Sequence, residues 1–348
     1  MGTGEATLNG CEETLVAAGA RVAPRLWTMD TGVDPGAFTR ADHPATLADA
    51  ALASAIDMAL WDLHAQEARV PLVDALGGAQ RKAVPVYANI NRRTRDRSAT
   101  GFAQSARDAL TAGFDAVKIA PFDEVSPARC EDGAGASAMR SGLARVAGVR
   151  EAVGPSVRLM IDCHWRFDEA TAACMIDAVA EHAVHWIECP LRETVDNIPA
   201  LVRLRARTTH HGLRLAGMEQ GIGYESFRPF CEAGCYDVMM PDVKYVGGLR
   251  QMMRCAEQLE RHGIEVSPHN PSGPIAHVAS VHVSAAMQSF DMLELQFDES
   301  PLFDLLVGGV VPSRSGSCAV PRAIGLGVRL SPDVLAECAE RPTLIVEA

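Results

Sequence analysis

The sequence predicts an α/β barrel of eight parallel strands. Eight short apolar or β-branched runs each finish in a charged, polar or turn residue. They are VPVYANIN (84–91), AVKIA (116–120), VRLMIDC (157–163), VHWIECP (184–190), LRLAGME (213–219), DVMMPD (237–242), EVSPHN (265–270) and MLELQ (292–296). Segments with helical spacing separate most of them, among them GFAQSARDALTAG, SGLARVAGVREAVG, ATAACMIDAVAEHA, NIPALVRLRART and GLRQMMRCAEQLERHG. Strand and helix alternating at this period means parallel strands joined by crossovers, and eight such units close into a barrel. An open doubly wound sheet is the competing layout, but no G-x-G-x-x-G follows the first strand to mark a dinucleotide site.

Segments outside the repeat differ in character. Residues 45–68, ATLADAALASAIDMALWDLHAQEA, read as one long amphipathic helix closed by the turn of VPLVDALGG. After about residue 300 come Gly and Pro punctuation, GLGVRL, and a short helix-like PDVLAECAE. Both chain ends are expected to pack as a cap on the barrel. The expected division is a partial N-terminal capping domain with its linking helix over 1–82, a catalytic barrel over 83–300, and a segment returning to the cap over 301–348.

Composition bounds the function. A chain of 348 residues, 48% hydrophobic and 22% charged, has the make-up of a folded globular protein larger than one ordinary domain. A net charge of −12 argues against nucleic acid or an anionic membrane as partner, since both need a basic footprint. No run of about 18 apolar residues occurs, and MGTGEATLNG lacks the basic start and apolar stretch of a signal peptide, so the cytoplasm is the default. Ten cysteines are scattered through apolar segments with no C-x-x-C pair, and read as small buried hydrophobes.

In such a barrel, chemistry sits at the mouth where strands end. The strand ends offer Lys118, Asp162 with His164, Glu188, Glu219, Asp242, His269 and Glu294. Three carboxylates on consecutive strands, Asp162, Glu188 and Glu219, would crowd together and repel, and a divalent cation removes that cost. Hard oxygen ligands with room for water and substrate suit Mg²⁺; ordinary salt bridges to helix arginines are the bland alternative. Asp242 beside His269 would hold one imidazole nitrogen and leave the other free to take a proton. His277 and His282, on the following helix, read as core histidines. His164 lies two residues past Asp162, so strand alternation is expected to point both side chains the same way. Lys118 could offer a cation to a carboxylate or oxyanion, and the claim of Lys244 is weaker. Trp165 and Arg166 are further candidates to line the pocket.

Taken together, AIDMALWDLHAQ with LGG, AVKIA, MIDCHW, WIECP, AGMEQ, PDVKYVGGL and PHNPSGPIA resemble, in order and spacing, the mandelate racemase/muconate lactonizing enzyme group of the enolase superfamily. The resemblance implies a (β/α)7β TIM-like barrel with an α+β capping domain. It implies Mg²⁺ held by Asp162, Glu188 and Glu219, binding a substrate carboxylate and stabilising the enediolate left when a base removes the neighbouring proton. His269 with Asp242 matches the branch with a His-Asp dyad, and Glu294 matches an acid that hydrogen-bonds the enediolate. Lys118 matches the first lysine of the racemases' K-x-K motif, while Ala120 replaces the second.

His164 matches the general acid of acid-sugar dehydratases, such as those acting on D-galactonate, where it protonates the departing 3-hydroxyl. The implied activity is dehydration of a small-molecule aldonate or aldarate to a 2-keto-3-deoxy sugar acid, by a chain that forms a homo-oligomer. A racemase, epimerase or cycloisomerase using the same enediolate is the alternative, and a barrel that binds a carboxylate without turnover is a third reading. Family members usually carry two strands before the G-x-G-E segment, so the cap is expected to be truncated at the N-terminus or the start placed too late. RAIGLGV also departs from the common PGLGV.

Overall fold

The structure, a computed structural model, describes residues 1–27, 35, 44–307, 315–333 and 336. Eight strands run parallel in one curled sheet: β1 Ala83–Asn89, β2 Ala116–Ile119, β3 Arg158–Asp162, β4 Trp186–Glu188, β5 Arg214–Gly217, β6 Val238–Met239, β7 Glu265–Val266 and β8 Leu293–Gln296. The sheet order is β7-β6-β5-β4-β3-β2-β1-β8. Backbone hydrogen bonds close it into a barrel between β7 and β8, from Asp291 N–H to Val266 O at 2.9 Å and from Glu294 N–H to Pro268 O at 3.3 Å. Every predicted run coincides with one of these strands, β1 alone starting one residue earlier, at Ala83.

Seven crossover helices separate the eight strands, which is the (β/α)7β arrangement: Ala99–Thr111, Arg140–Val153, Glu169–Ala180, Ile198–His210, Gly223–Glu232, Leu249–Arg261 and Pro274–Ala286. Their starts are written in the sequence. Ser98 accepts a hydrogen bond from the Gly101 N–H, and Asp168 from the Thr171 N–H, as N-cap side chains do. Strand alternation sorts the inward side chains into two layers. Tyr87, Ala116, Met160, Trp186, Ala216, Val238, Met240 and Met292 form a buried apolar cluster of their own. Two residues further along the same strands stand Asn89, Lys118, Asp162, Glu188 and Glu294, so an apolar plug supports a polar rim.

The strands are shorter than the runs that announce them. β5, β6 and β7 stop at Gly217, Met239 and Val266, so Glu219, Asp242 and His269 lie in the following loops and not on strand ends. Pro241 and Pro268, which have no N–H to give a ladder, stand directly before Asp242 and His269. Beside Glu219 the chain turns at Met218, with φ of 73°.

Before β1 the described residues form helices Glu12–Trp27, Leu47–Ala68 and Leu72–Ala75, the helical part of the α+β cap. Helix Leu47–Ala68 starts at N-cap Thr46 and ends at left-handed Arg69. It is not amphipathic as expected. Ala48, Ala50, Ala51, Ala53, Ser54, Ala55, Asp57, Met58 and Trp61 are all buried, which covers more than one face. The segment before Glu12 lies directly on it, because a Cβ at Gly4 would sit 1.8 Å from the Ala55 carbonyl oxygen. On another side it meets helix Leu249–Arg261. After β8 a ninth strand, Ser317–Ala319, pairs antiparallel with the start of β1. The helix read over PDVLAECAE lies mostly outside the described residues.

Nine of the ten cysteines are described; all nine are free and seven are buried. Among the described residues no helix is long and apolar enough to cross a membrane.

Candidate active site

Parallel pairing brings the rim together. Asp162 and Glu188 are direct partners across β3 and β4, and Asn89 and Lys118 across β1 and β2. Lys118, Asp162, Glu188, Glu219, Asp242 and Glu294 are all at least nine-tenths buried. The Lys118 ammonium lies 2.8 Å from Glu188 Oε1 and 3.2 Å from Glu294 Oε1, so it is committed to two carboxylates. Glu294 also accepts from Asn89 Nδ2 at 2.6 Å and from the Asn270 N–H at 3.0 Å.

On the opposite side His269 Nδ1 lies 2.9 Å from Asp242 Oδ2, and its Nε2 faces Glu219 Oε2 at 3.5 Å. Lys244 is buried with its ammonium 3.5 Å from the same Asp242 oxygen. It belongs to the dyad's support.

His164 reaches Asp162, Nε2 to Oδ2 at 2.7 Å, but not by strand alternation. β3 ends at Asp162, and His164 and Trp165 turn with φ of 47° and 55°. The Asp162 carboxylate accepts the His164 N–H at 2.9 Å and closes that turn, as aspartates do two residues ahead of themselves. Trp165 gives its indole N–H to Glu193 at 3.2 Å, and Arg166 is tied to the carbonyls of Asp123 and Val125, away from the rim. His277 and His282 stay in the core. His282 Nδ1 accepts the Val73 N–H at 3.1 Å while Nε2 faces Leu326 O at 3.0 Å.

Backbone strain concentrates here. Of the seven described non-glycine residues in the left-handed region, four adjoin the three predicted ligand acids: His164, Trp165, Cys189 and Met218. Each such residue costs of order 1–3 kcal/mol and persists only where its surroundings hold it. Glu193, not singled out from the sequence, supplies part of that hold. No local pattern reveals it, because all but one of its partners come from other parts of the chain.

The electrostatics are those of a site short of positive charge. Burial pushes Glu188 up, against the pull of Lys118, to a pKa of about 7. Burial together with Asp162 and Glu188 pushes Glu219 well above the ordinary range. Burial likewise raises Asp162, but His164 and Lys118 outweigh it and hold that carboxyl at about 2. Glu294 is also held at about 2, by Lys118 and His269 against burial. Side-chain ligand atoms of Glu188, Cys189 and Glu219 lie within 4.8 Å of one another. Two buried carboxylates raised this way fit a divalent cation, whose charge removes the penalty on both. The sulfur of Cys189 is the one soft donor in the group.

Comparison with known proteins identifies the family. The model described as "Enolase C-terminal domain-like" matches residues 101–334, and that described as "Mandelate racemase / muconate lactonizing enzyme, N-terminal domain" matches residues 1–77. The chain belongs to the mandelate racemase/muconate lactonizing enzyme family of the enolase superfamily.

Family relatives include D-gluconate dehydratase of Thermoproteus tenax, 32% identical over 84% of this chain and 57% of its own length. D-galactonate dehydratase of Ralstonia nicotianae is 29% identical, covering 66% and 56%. L-rhamnonate dehydratase of Saccharopolyspora erythraea is 30% identical, covering 81% and 66%. The chain thus spans little more than half the length of the first two. Among solved structures, an enolase superfamily member from Salmonella Typhimurium superposes with a TM-score of 0.84 at 22% identity, covering 97% of this chain and 91% of that one. A family member from Jannaschia sp. CCS1 gives 0.83 at 24%, covering 98% and 89%.

Proposed function

We propose that this chain is a Mg²⁺-dependent dehydratase of sugar acids, converting an aldonate or aldarate to its 2-keto-3-deoxy product. The observation that carries this reading is the His269 dyad: Asp242 holds Nδ1 at 2.9 Å, so Nε2 is the nitrogen left to take a proton, and it faces the carboxylate cluster at Glu219. A base there serves a carbon acid whose carboxylate is held at the same rim. The relatives named for D-gluconate, D-galactonate and L-rhamnonate support an aldonate as substrate.

Asp162, Glu188 and Glu219 would hold the cation. When bound, Mg²⁺ supplies positive charge that lowers the acidity barrier of the proton next to the substrate carboxylate. The protein's own groups do the rest. His269 Nε2 takes the α-proton, with Asp242 steadying the imidazolium. Lys118 would face the developing enediolate charge, whereas Glu294, held ionised at about 2, could donate a hydrogen bond to it only after taking up a proton. Asp162 raises the pKa of His164, against the opposing effect of burial, which favours the protonated imidazole. His164 gives that proton to the 3-hydroxyl as it leaves.

The test is a screen of the protein with Mg²⁺ against aldonic and aldaric acids, using semicarbazide to trap 2-keto products. A positive acid is expected, with activity lost to EDTA. His164→Ala should then still exchange the α-proton in D₂O while forming product at least 100-fold more slowly, by about the contribution of a general acid. A library with neither product nor exchange would overturn the reading; full dehydration by His164→Ala would overturn that residue's role.

A further inference from the structure

We propose that Glu193 is a positioning residue, one carboxylate that holds the backbone turns beside Asp162, Glu188 and Glu219 and so aims all three. The proposal rests on the metal-dependent reading above. Glu193 follows β4 by five residues, and its two oxygens meet donors from three loops. Oε2 accepts the Trp165 indole N–H at 3.2 Å. Oε1 accepts the Met218 backbone N–H, the Tyr236 hydroxyl at 3.3 Å and the Cys189 thiol at 3.6 Å.

Every one of these partners can donate, and an ionised carboxylate only accepts, so the set is matched. Three of the four partners are the left-handed residues themselves: Trp165 three past Asp162, Cys189 one past Glu188, and Met218 one before Glu219. The approach is close. A Cβ at Gly217 would lie 2.5 Å from Glu193 Oε1, so the glycine is what lets the carboxylate reach the Met218 N–H. Backbone bonds tie the same loops together, from Trp165 N–H to Cys189 O at 2.7 Å and from Cys189 N–H to Ala216 O at 3.0 Å.

Glu193 therefore acts on the metal centre through its neighbours. Outer partners of this kind change metal affinity by about 10–100-fold when removed.

The experiment uses the full chain, with Mn²⁺ as the probe and its free signal read by electron paramagnetic resonance. Wild type is compared with Glu193→Ala, Glu193→Gln and, as a remote destabilised control, Asp57→Ala. Glu193→Ala should bind Mn²⁺ about 10–100-fold more weakly. Glu193→Gln, which keeps a carbonyl acceptor, should fall between, and Asp57→Ala should match wild type. Metal-free hydrogen exchange should quicken in all three loops, 163–167, 188–190 and 217–220, in Glu193→Ala and not in the control; if the alanine variant does not fold, Glu193→Gln carries the same comparison. Unchanged Mn²⁺ affinity, or faster exchange confined to the Glu193 loop, overturns the proposal. If wild type takes up no Mn²⁺, the metal reading fails, and the exchange pattern alone upholds or overturns the role of Glu193.

Discussion

The molecule gathers carboxylates in two places and treats them in opposite ways. At the rim, Glu188 and Glu219 face other acids and are raised by burial and mutual repulsion. At the contact between cap and barrel, each acid is given backbone N–H groups. Glu5 accepts from Gly273, Ile275 and Ala276 at the start of helix Pro274–Ala286. Asp57 accepts the Leu249 N–H at 2.8 Å, at the start of helix Leu249–Arg261. Asp62 accepts Thr3 and Leu326. Orphan amides at helix starts suit anions, so Glu5 and Asp57 serve stability there, and Asp62 satisfies amides that lie outside any helix. The rim acids are kept in discomfort that a cation would relieve. The same residue type is thus raised or satisfied according to what faces it.

The largest effect that would break this contrast is at the rim. His269→Asn should cut turnover and α-proton exchange by about 10²–10⁴-fold. Glu219→Gln should abolish activity with a melting temperature equal to or above wild type, because burial and the neighbouring acids already penalise a charge at that position. A marked loss of stability in Glu219→Gln would place that acid with the structural set.

Acid offers the next test, because burial holds both His277 and His282 at a pKa of about 4. These folded-state values lie below the unfolded value of about 6.5. The unfolded chain therefore takes up protons first, and stability that is complete above about pH 6.5 falls as pH drops towards 4. Each histidine contributes roughly 3 kcal/mol over that window. Glu188 and Glu219, raised above their unfolded values, act in the opposite sense over this range, so the histidine contribution is read as a difference: the slope of denaturant midpoint against pH from 7 to 4 should be less acid-destabilising in His282→Gln than in wild type. A slope unchanged by that substitution would exclude His282 as its source.

The smallest effects are at the interface itself. Asp57→Ala should cost about 1–3 kcal/mol, since a buried N–H loses its acceptor. Glu5→Ala, at a site water can reach, should cost about 1 kcal/mol. Neither should change Mn²⁺ affinity.

The strand runs were legible because a buried parallel strand must be apolar, and the rim because parallel strands deliver their ends to one mouth. Asp162 and Glu188 follow from that rule directly. The pairing of His164 with Asp162 followed from the wrong rule, since a left-handed turn replaces the strand there. The helix over 47–68 misled for another reason: an alanine-rich helix covered on several sides keeps little polar face to display. Glu193 was not legible, with its partners lying 28, 25 and 43 residues away besides Cys189 at four. Its meaning exists only after folding.

Asp62 has a mechanical consequence. One oxygen takes the Thr3 N–H at 3.1 Å and the other the Leu326 N–H at 2.9 Å, and Gly325 allows that approach because a Cβ there would lie 2.3 Å from the carboxylate. One side chain on helix Leu47–Ala68 thus clasps two stretches of chain that are more than 300 positions apart in order. Each stretch is also fastened to the barrel, Glu5 to the start of helix Pro274–Ala286 and Leu326 to His282, so a pull on either chain end is shared between cap and barrel.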